Sequence, residues 1–266
     1  MYETNYHRPT STADAVAARN GAEEATYLAG GQTLIPTMKQ RLAAPSDLVD
    51  LRHVPDLKGV CEDGDLIIIG AMTTHSEVNE NDLVTSHVPV LADMAGRIGD
   101  PHVRAMGTIG GSVANNDPSA DYPAALLGLG ASIRTDKREI AAADFFEGMF
   151  ATALDEGEMI ISIAVPKTAH AGWSKFRNPA SRYAMAGVLV AKTADGVRVA
   201  VTGAGSDGVF RHTAMEQALD ADFSADALEG VDTPADDLLT DIHGSAAYRA
   251  NLVNVMAKRA VANAQG

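Results

Sequence analysis

The chain has 266 residues, 46% hydrophobic and 21% charged, which is enough to bury a substantial core without disulfides or structural metals. Its formal net charge of −14 argues against nucleic acid or an anionic membrane surface as the main partner. The single cysteine, Cys61, excludes an internal disulfide and cannot by itself hold an iron–sulfur cluster, so it reads as a small buried apolar residue.

In chain order, the opening stretch "MYETNYHRPT" lacks an apolar signal region, and no later run reaches membrane-spanning length. The expectation is a cytoplasmic protein with no membrane span. Ser11 or Thr12 can cap a helix that runs to about Asn20 and ends at Gly21. "ATYLAGG" reads as a strand entering a glycine turn, "IPTMKQRL" as a helix with Pro36 in its first turn, and "DLVDL" as a second strand. Together they make a small β-α-β-like unit. Asp63-Gly64 marks a hairpin, Thr73 or Thr74 a helix cap, and "PVLADMAGRIG" an amphipathic helix stopped at Gly99. "PAALLGLGA" reads as a buried helix, and "ASIRTDKREI" and "MIISIAVP" as strands. Past Pro166 the texture changes, with two strands around Asp195-Gly196 and then helices to the end. In "YRANLVNVMAKRAV", Tyr248, Leu252, Val255, Met256 and Arg259 fall on one helix face. These elements divide the chain into residues 1–53, 54–168 and 169–266, the second boundary lying near Pro166 to Gly172.

Two glycine-rich segments stand out, "AGGQTL" at 29–34 and "TIGGS" at 108–112. Each joins a Gly-Gly pair to a hydroxyl residue. Such a segment is either a tight turn that only glycine tolerates or a cradle of backbone N–H groups for phosphate. Two of them could converge on one pyrophosphate. Neither has the G-x-G-x-x-G spacing of a Rossmann fold, and no P-loop occurs. His53, His102 and His212 lack metal-ligand spacing, and His75 reads as polarity at a helix start. Trp173 and Tyr183 read as packing residues. Lys39 and Arg41 could balance phosphate charge, or simply form a solvated helix face.

"YLAGGQTLIPTMKQRLAAPSDLVDL" and "RAMGTIGGSVANNDPSADYPAALLGLGA" resemble the two flavin-binding signatures of the FAD (medium) subunit of molybdenum hydroxylases, the aerobic carbon monoxide dehydrogenase and xanthine dehydrogenase family. The likeness continues through "GAMTTH", "KFRNPASRYAMAGVLVA" and "YRANLVNVMAKRAV", in order along nearly the whole chain. It implies an α+β protein, with an FAD-binding fold of the PCMH type. Two small α/β subdomains, 1–53 and 54–168, would hold FAD without a covalent bond. A C-terminal α+β domain, 169–266, with a short antiparallel sheet and helices, would follow.

By the same resemblance, Ala29, Gly30, Gly31, Gln32, Thr33 and Leu34 would hold FAD phosphate, as would Thr108, Ile109, Gly110, Gly111 and Ser112. Asp121 would contact the flavin nucleotide, although it could equally cap the helix that follows. Ile160 would pack on the flavin. Lys175 would lie close enough to favour the negative charge of reduced flavin. Asp117, in the turn sequence "NDPS", keeps both a site reading and a structural one, while Asn115 and Asn116 would be polar lining near the ribityl chain, at places where many members of the family have Ala-His. No catalytic side chain and no metal ligand is expected. The implied role is electron transfer from [2Fe-2S] clusters of a small subunit through FAD to an external acceptor. Molybdopterin would sit in a large subunit, the heterotrimer being duplicated by a two-fold axis. Two other readings stay open: a stand-alone FAD-dependent oxidoreductase using Lys175, Arg177, Arg182 or Tyr183, and a non-enzymatic nucleotide-binding module.

Overall fold

A computed structural model describes residues 1–265. The first unit is β1 (Asn5–His7), α1 (Thr12–Asn20), β2 (Ala25–Leu28), α2 (Leu34–Lys39) and β3 (Asp47–Asp50). Ser11 Oγ accepts from the Asp14 N–H and caps α1, with Gly21 at its end as its sequence requires. The three strands form a parallel sheet in the order β1-β3-β2. The central β3 is buried at every position. A parallel pair needs a crossover, so the chain leaves β2 at its carboxyl end through Ala29-Gly30-Gly31 and turns directly into α2.

The second unit opens with the hairpin β4 (Val60–Asp63) and β5 (Leu66–Gly70). Its tight turn is Gly64-Asp65, one residue later than Asp63-Gly64, because Gly64 takes the left-handed conformation at φ 58°. Short helices follow: α3 (His75–Glu80), α4 (Asp82–His87), α5 (Pro89–Gly96), α6 (Pro101–Met106), α7 (Ile109–Asn115) and α8 (Asp121–Leu129). Then come β6 (Ser132–Thr135), β7 (Glu139–Ala141), α9 (Ala142–Phe145), β8 (Phe146–Gly148), β9 (Ala151–Thr152) and β10 (Ile160–Pro166). The main sheet runs β4-β5-β10-β6-β7, with β10 inserted antiparallel between β5 and β6. Thr74 caps α3 in a reciprocal box with Glu77. Cys61 is exposed rather than buried, because β4 is the edge strand. "TIGGS" is likewise no open loop, since Thr108 caps a helix and the glycines sit in its first turn.

The third unit is a meander, β11 (Ala171–Arg177), β12 (Ala184–Thr193), β13 (Gly196–Thr202) and β14 (Phe210–Arg211), followed by α10 (Thr213–Ala221) and α11 (Ala246–Gln265). Alternation along β12 splits the sheet's two faces. Ala186, Val188 and Val190 pack with α11, whereas Leu189 and Ala191 join the core around α8. That second core also takes in Trp173 and Ala200, so one hydrophobic cluster crosses residues 166–172. All nine residues of α8 are buried.

The buried stripe of α11 is Arg249, Ala250, Leu252, Val253, Met256, Ala257, Ala260, Val261 and Ala264. Leu252 and Met256 lie where the helical spacing predicts. Tyr248 and Arg259 are exposed and Val255 is half-buried, which corrects the expected face. The stripe leans toward the alanines because small side chains let α11 sit close to β11. A Cβ at Gly172 would come within 2.0 Å of the Ala260 carbonyl oxygen. No helix among the described residues is long and apolar enough to cross a membrane.

Candidate functional site

A cavity of about 850 Å³ lies where the three units meet. Ala29 to Leu34, Thr108, Gly110, Gly111, Ser112, Asp121, Ile160 and Lys175 all line it. Ile109 does not. It is fully buried in the core beneath the second glycine segment.

The two glycine segments differ in what they offer. At the first, the backbone N–H groups of Gly30, Gly31, Gln32, Thr33 and Leu34 donate to no acceptor among the described residues. Gly31 holds φ at 71°, a conformation that side chains resist. The segment thus presents a run of free donors at the start of α2, an arrangement that suits an anion. At the second segment the donors are already used. Ile109 N–H goes to Thr73 O, Gly110 N–H to Ala71 O, Gly111 N–H to Thr108 Oγ1, and Ser112 N–H to Thr108 O. The expectation of two equal N–H cradles is corrected accordingly. Thr108 and Ser112 instead bring hydroxyls to the wall, each able to donate. Gly110 lets α7 lie against Ala71, whose Cβ and carbonyl oxygen would be 2.6 Å from an added Cβ.

Asp121 opens α8 and Lys175 sits on β11. Their side chains meet across the cavity wall with Nζ 2.5 Å from Oδ2, each only 4% exposed. Lys175 Nζ also reaches Arg97 O at 3.5 Å. Burial pushes the Asp121 carboxyl up, against the opposing attraction of Lys175. Asp121 Oδ1 is buried and has no partner. A buried acceptor left unmatched costs stability, so this oxygen suits a donor on a bound molecule.

One wall residue, Glu158, escaped the sequence reading, and two others, Arg182 and Tyr183, entered it only through the stand-alone oxidoreductase alternative. Glu158 lines the cavity, and Arg138 and Thr135 hold its carboxyl at about 2 against the effect of burial. Arg182, at φ 64°, and the half-exposed Tyr183 line the mouth from the third unit. Tyr183 is therefore a wall residue rather than the packing residue expected, while Trp173 is in the core. Nothing local marked Glu158, a lone carboxylate between β9 and β10. Asn116 is structural: it ends α7 in the left-handed conformation and donates to Gly148 O and Ala151 O at 2.7 and 2.8 Å. Asp117 accepts from the Ser119 N–H at 2.8 Å and also lines the cavity, as does Asn115. A smaller cavity of about 350 Å³ lies against the same first segment, next to Lys39 and Arg52.

His75 is buried in the cavity wall against the Tyr122 ring, its Nδ1 without a partner. Burial, with a smaller contribution from Arg104, lowers its imidazole to about 4. The folded protein therefore holds it neutral, while the unfolded chain protonates it near its ordinary 6.5. Stability is complete above pH 6.5 and is lost as pH falls from there toward 4. The loss expected by pH 5 is about 2 kcal/mol. Urea denaturation at pH 7.5 and 5.0 measures it, and His75→Gln should remove most of the difference.

Among the described residues no cluster of His, Cys, Asp or Glu could hold a metal ion. The site combines free N–H donors at one end, an unmatched carboxylate oxygen, and apolar walls from Ile98, Val103, Leu154, Met159 and Ile160. That set suits an elongated molecule carrying phosphates and a flat apolar ring system.

Residues 2–168 match the family model described as the FAD binding domain in molybdopterin dehydrogenase. The chain is 37% identical over 281 residues to the carbon monoxide dehydrogenase medium chain of Afipia carboxidovorans, covering 98% of this chain and 96% of the relative. It is 34% identical to the nicotine 6-hydroxylase medium subunit of Paenarthrobacter nicotinovorans, covering 97% and 96%. Its fold is similar to a chain of reconstituted CO dehydrogenase from Oligotropha carboxidovorans, with a TM-score of 0.90, 33% identity, and coverage of 99% and 98%.

Proposed function

The chain belongs to the FAD-binding domain family of molybdopterin dehydrogenases, and from that premise we propose that it is the flavin-carrying electron-transfer subunit of a molybdenum hydroxylase. It stands between [2Fe-2S] clusters in a small partner subunit and an external acceptor. Molybdopterin sits in a large partner subunit, and the heterotrimer is paired about a two-fold axis. Relatives this similar carry names with different substrates, carbon monoxide dehydrogenase and nicotine 6-hydroxylase. We therefore assign substrate choice to the large subunit.

The observation that carries this reading is the row of unused N–H donors from Gly30 to Leu34 at the wall of one large cavity. FAD, when bound, supplies a carrier that takes up electron pairs and releases them. This chain's residues bind, orient and shield it. The first glycine segment holds phosphate, with Thr108 and Ser112 adding hydroxyl donors. Asp121 Oδ1 receives a donor from the nucleotide. Ile160 and Met159 cover apolar surface and keep water out. Residues 1–53 and 54–168 form the cradle, and 169–266 closes it through Lys175, Arg182 and Tyr183.

The purified chain should be yellow, and acid precipitation should release FAD into the supernatant at about one per chain. Coexpression with both partner subunits should be required for dye-linked oxidation of a hydroxylase substrate. A colourless chain that takes up no added FAD sinks the flavin assignment. Full turnover by the isolated chain overturns the subunit assignment in favour of a stand-alone flavoenzyme.

A further inference from the structure

Lys175 and Asp121 are alone among the ion pairs of the described residues in having both side chains less than one-tenth exposed. A buried pair of this kind contributes little net stability, because desolvation offsets the attraction. Its presence in a cavity wall therefore calls for another reason. The pair is also incomplete as a structural bond, since Asp121 Oδ1 has no partner while Oδ2 is held by the ammonium.

We propose that Asp121 and Lys175 act as a charge-compensated pair that sets the reduction potential of the bound flavin, the carboxylate cancelling most of the field of the ammonium. This rests on the flavin reading above and adds to it a sign that the resemblance does not carry. An ammonium acting alone would favour the added electrons of reduced flavin. Held against a carboxylate, it becomes a dipole, whose field falls off faster with distance.

The low exposure of both groups means that solvent does not screen either charge, so removing one leaves the other's field at nearly full strength. The other charged groups on this wall are Asp100, Asp117, Glu158 and Arg182. Arg177 is close enough to act on Asp121. Glu158 is matched by Arg138, and Arg182 reaches out to Gly99 O. None of them pairs with Lys175, so its compensation depends on Asp121. Both tune the flavin through charge, and Asp121 also binds it through Oδ1; neither moves a proton or an electron itself.

The test is a potentiometric titration of the full-length chain loaded with FAD. Asp121→Asn keeps the side-chain shape, frees the ammonium, and should raise the midpoint potential. The double variant Asp121→Asn/Lys175→Gln should return it close to the wild-type value, and Lys175→Arg should leave it in place. If Asp121→Asn is not recovered folded, Asp121→Ser gives the same sign. A potential unmoved or lowered by the neutral substitution overturns the proposal, as does a rise that persists in the double variant. A wild-type chain that binds no FAD would instead sink the flavin reading itself, and the two failures are told apart at the loading step.

Discussion

Gly30→Val should abolish flavin retention, with at least a 100-fold loss of affinity, about 3 kcal/mol, while the three sheets stay folded. A Cβ at Gly30 would lie 2.1 Å from Met106 O and 2.8 Å from Gly107 Cα. Both are backbone atoms and cannot rotate away. The first glycine segment must therefore lift off the chain between α6 and α7, and its row of N–H donors loses its aim. Of the two neighbours affected, Gly107 is buried, but Met106 is 43% exposed and ends a short helix that can shift. The damage should thus stay local. Gly110→Val makes the contrast. Its Cβ collides with Ala71 in the core, so that variant should unfold more readily rather than merely lose its ligand. Fluorescence titration with FAD and far-ultraviolet circular dichroism on both variants measure the two effects. Stoichiometric FAD in Gly30→Val refutes the argument.

Arg249→Met should cost about 3 kcal/mol of stability, a large share of the margin of an ordinary domain. The guanidinium is 3% exposed and sits in the first turns of α11. Its Nη1 donates to Met185 O and Gly203 O, both at 2.7 Å, and its Nη2 to Asp241 at 2.7 Å. Methionine fills much of the volume but strands two buried carbonyls. The half-exposed Asp241 can turn to water, so the carbonyls dominate the cost. Met185 is the second residue of β12, just after the Ala180–Tyr183 wall of the cavity, and Gly203 directly follows β13. The variant should therefore also bind flavin less tightly. Urea unfolding gives the first quantity and FAD titration the second. A change below about 1 kcal/mol would mean that water replaces the lost donors.

Most of the fold was legible in the sequence because its elements carry local signals. Ser11 and Gly21 bracket α1, Thr74 caps α3, and the apolar run "PAALLGLGA" reads as the buried helix that it forms for most of its length. The exposed Cys61 was misread because edge position is a property of sheet order, which no residue near Cys61 encodes. The same limit explains α11, whose buried face depends on how closely small residues approach Gly172. At the site, glycine pairs identified both segments, but composition cannot say which N–H groups are already taken. That depends on Thr73 and Ala71, brought in from a distant part of the chain. His75 and Glu158 were invisible as wall residues for the same reason, since each reaches the cavity by tertiary placement alone.

The helix α8 has no outward face: all nine of its residues are buried, with Asp121 at one end in the cavity wall and Gly128 pressed against Leu189 and Ala200 at the other. A segment of that kind has no position where sequence can drift without consequence. Elsewhere a surface residue absorbs change neutrally; here any alteration is felt by two units and a cofactor wall together. A side chain enlarged on this helix would be met by neighbours on more than one side, so its packing ties the cavity wall to the sheet of the third unit.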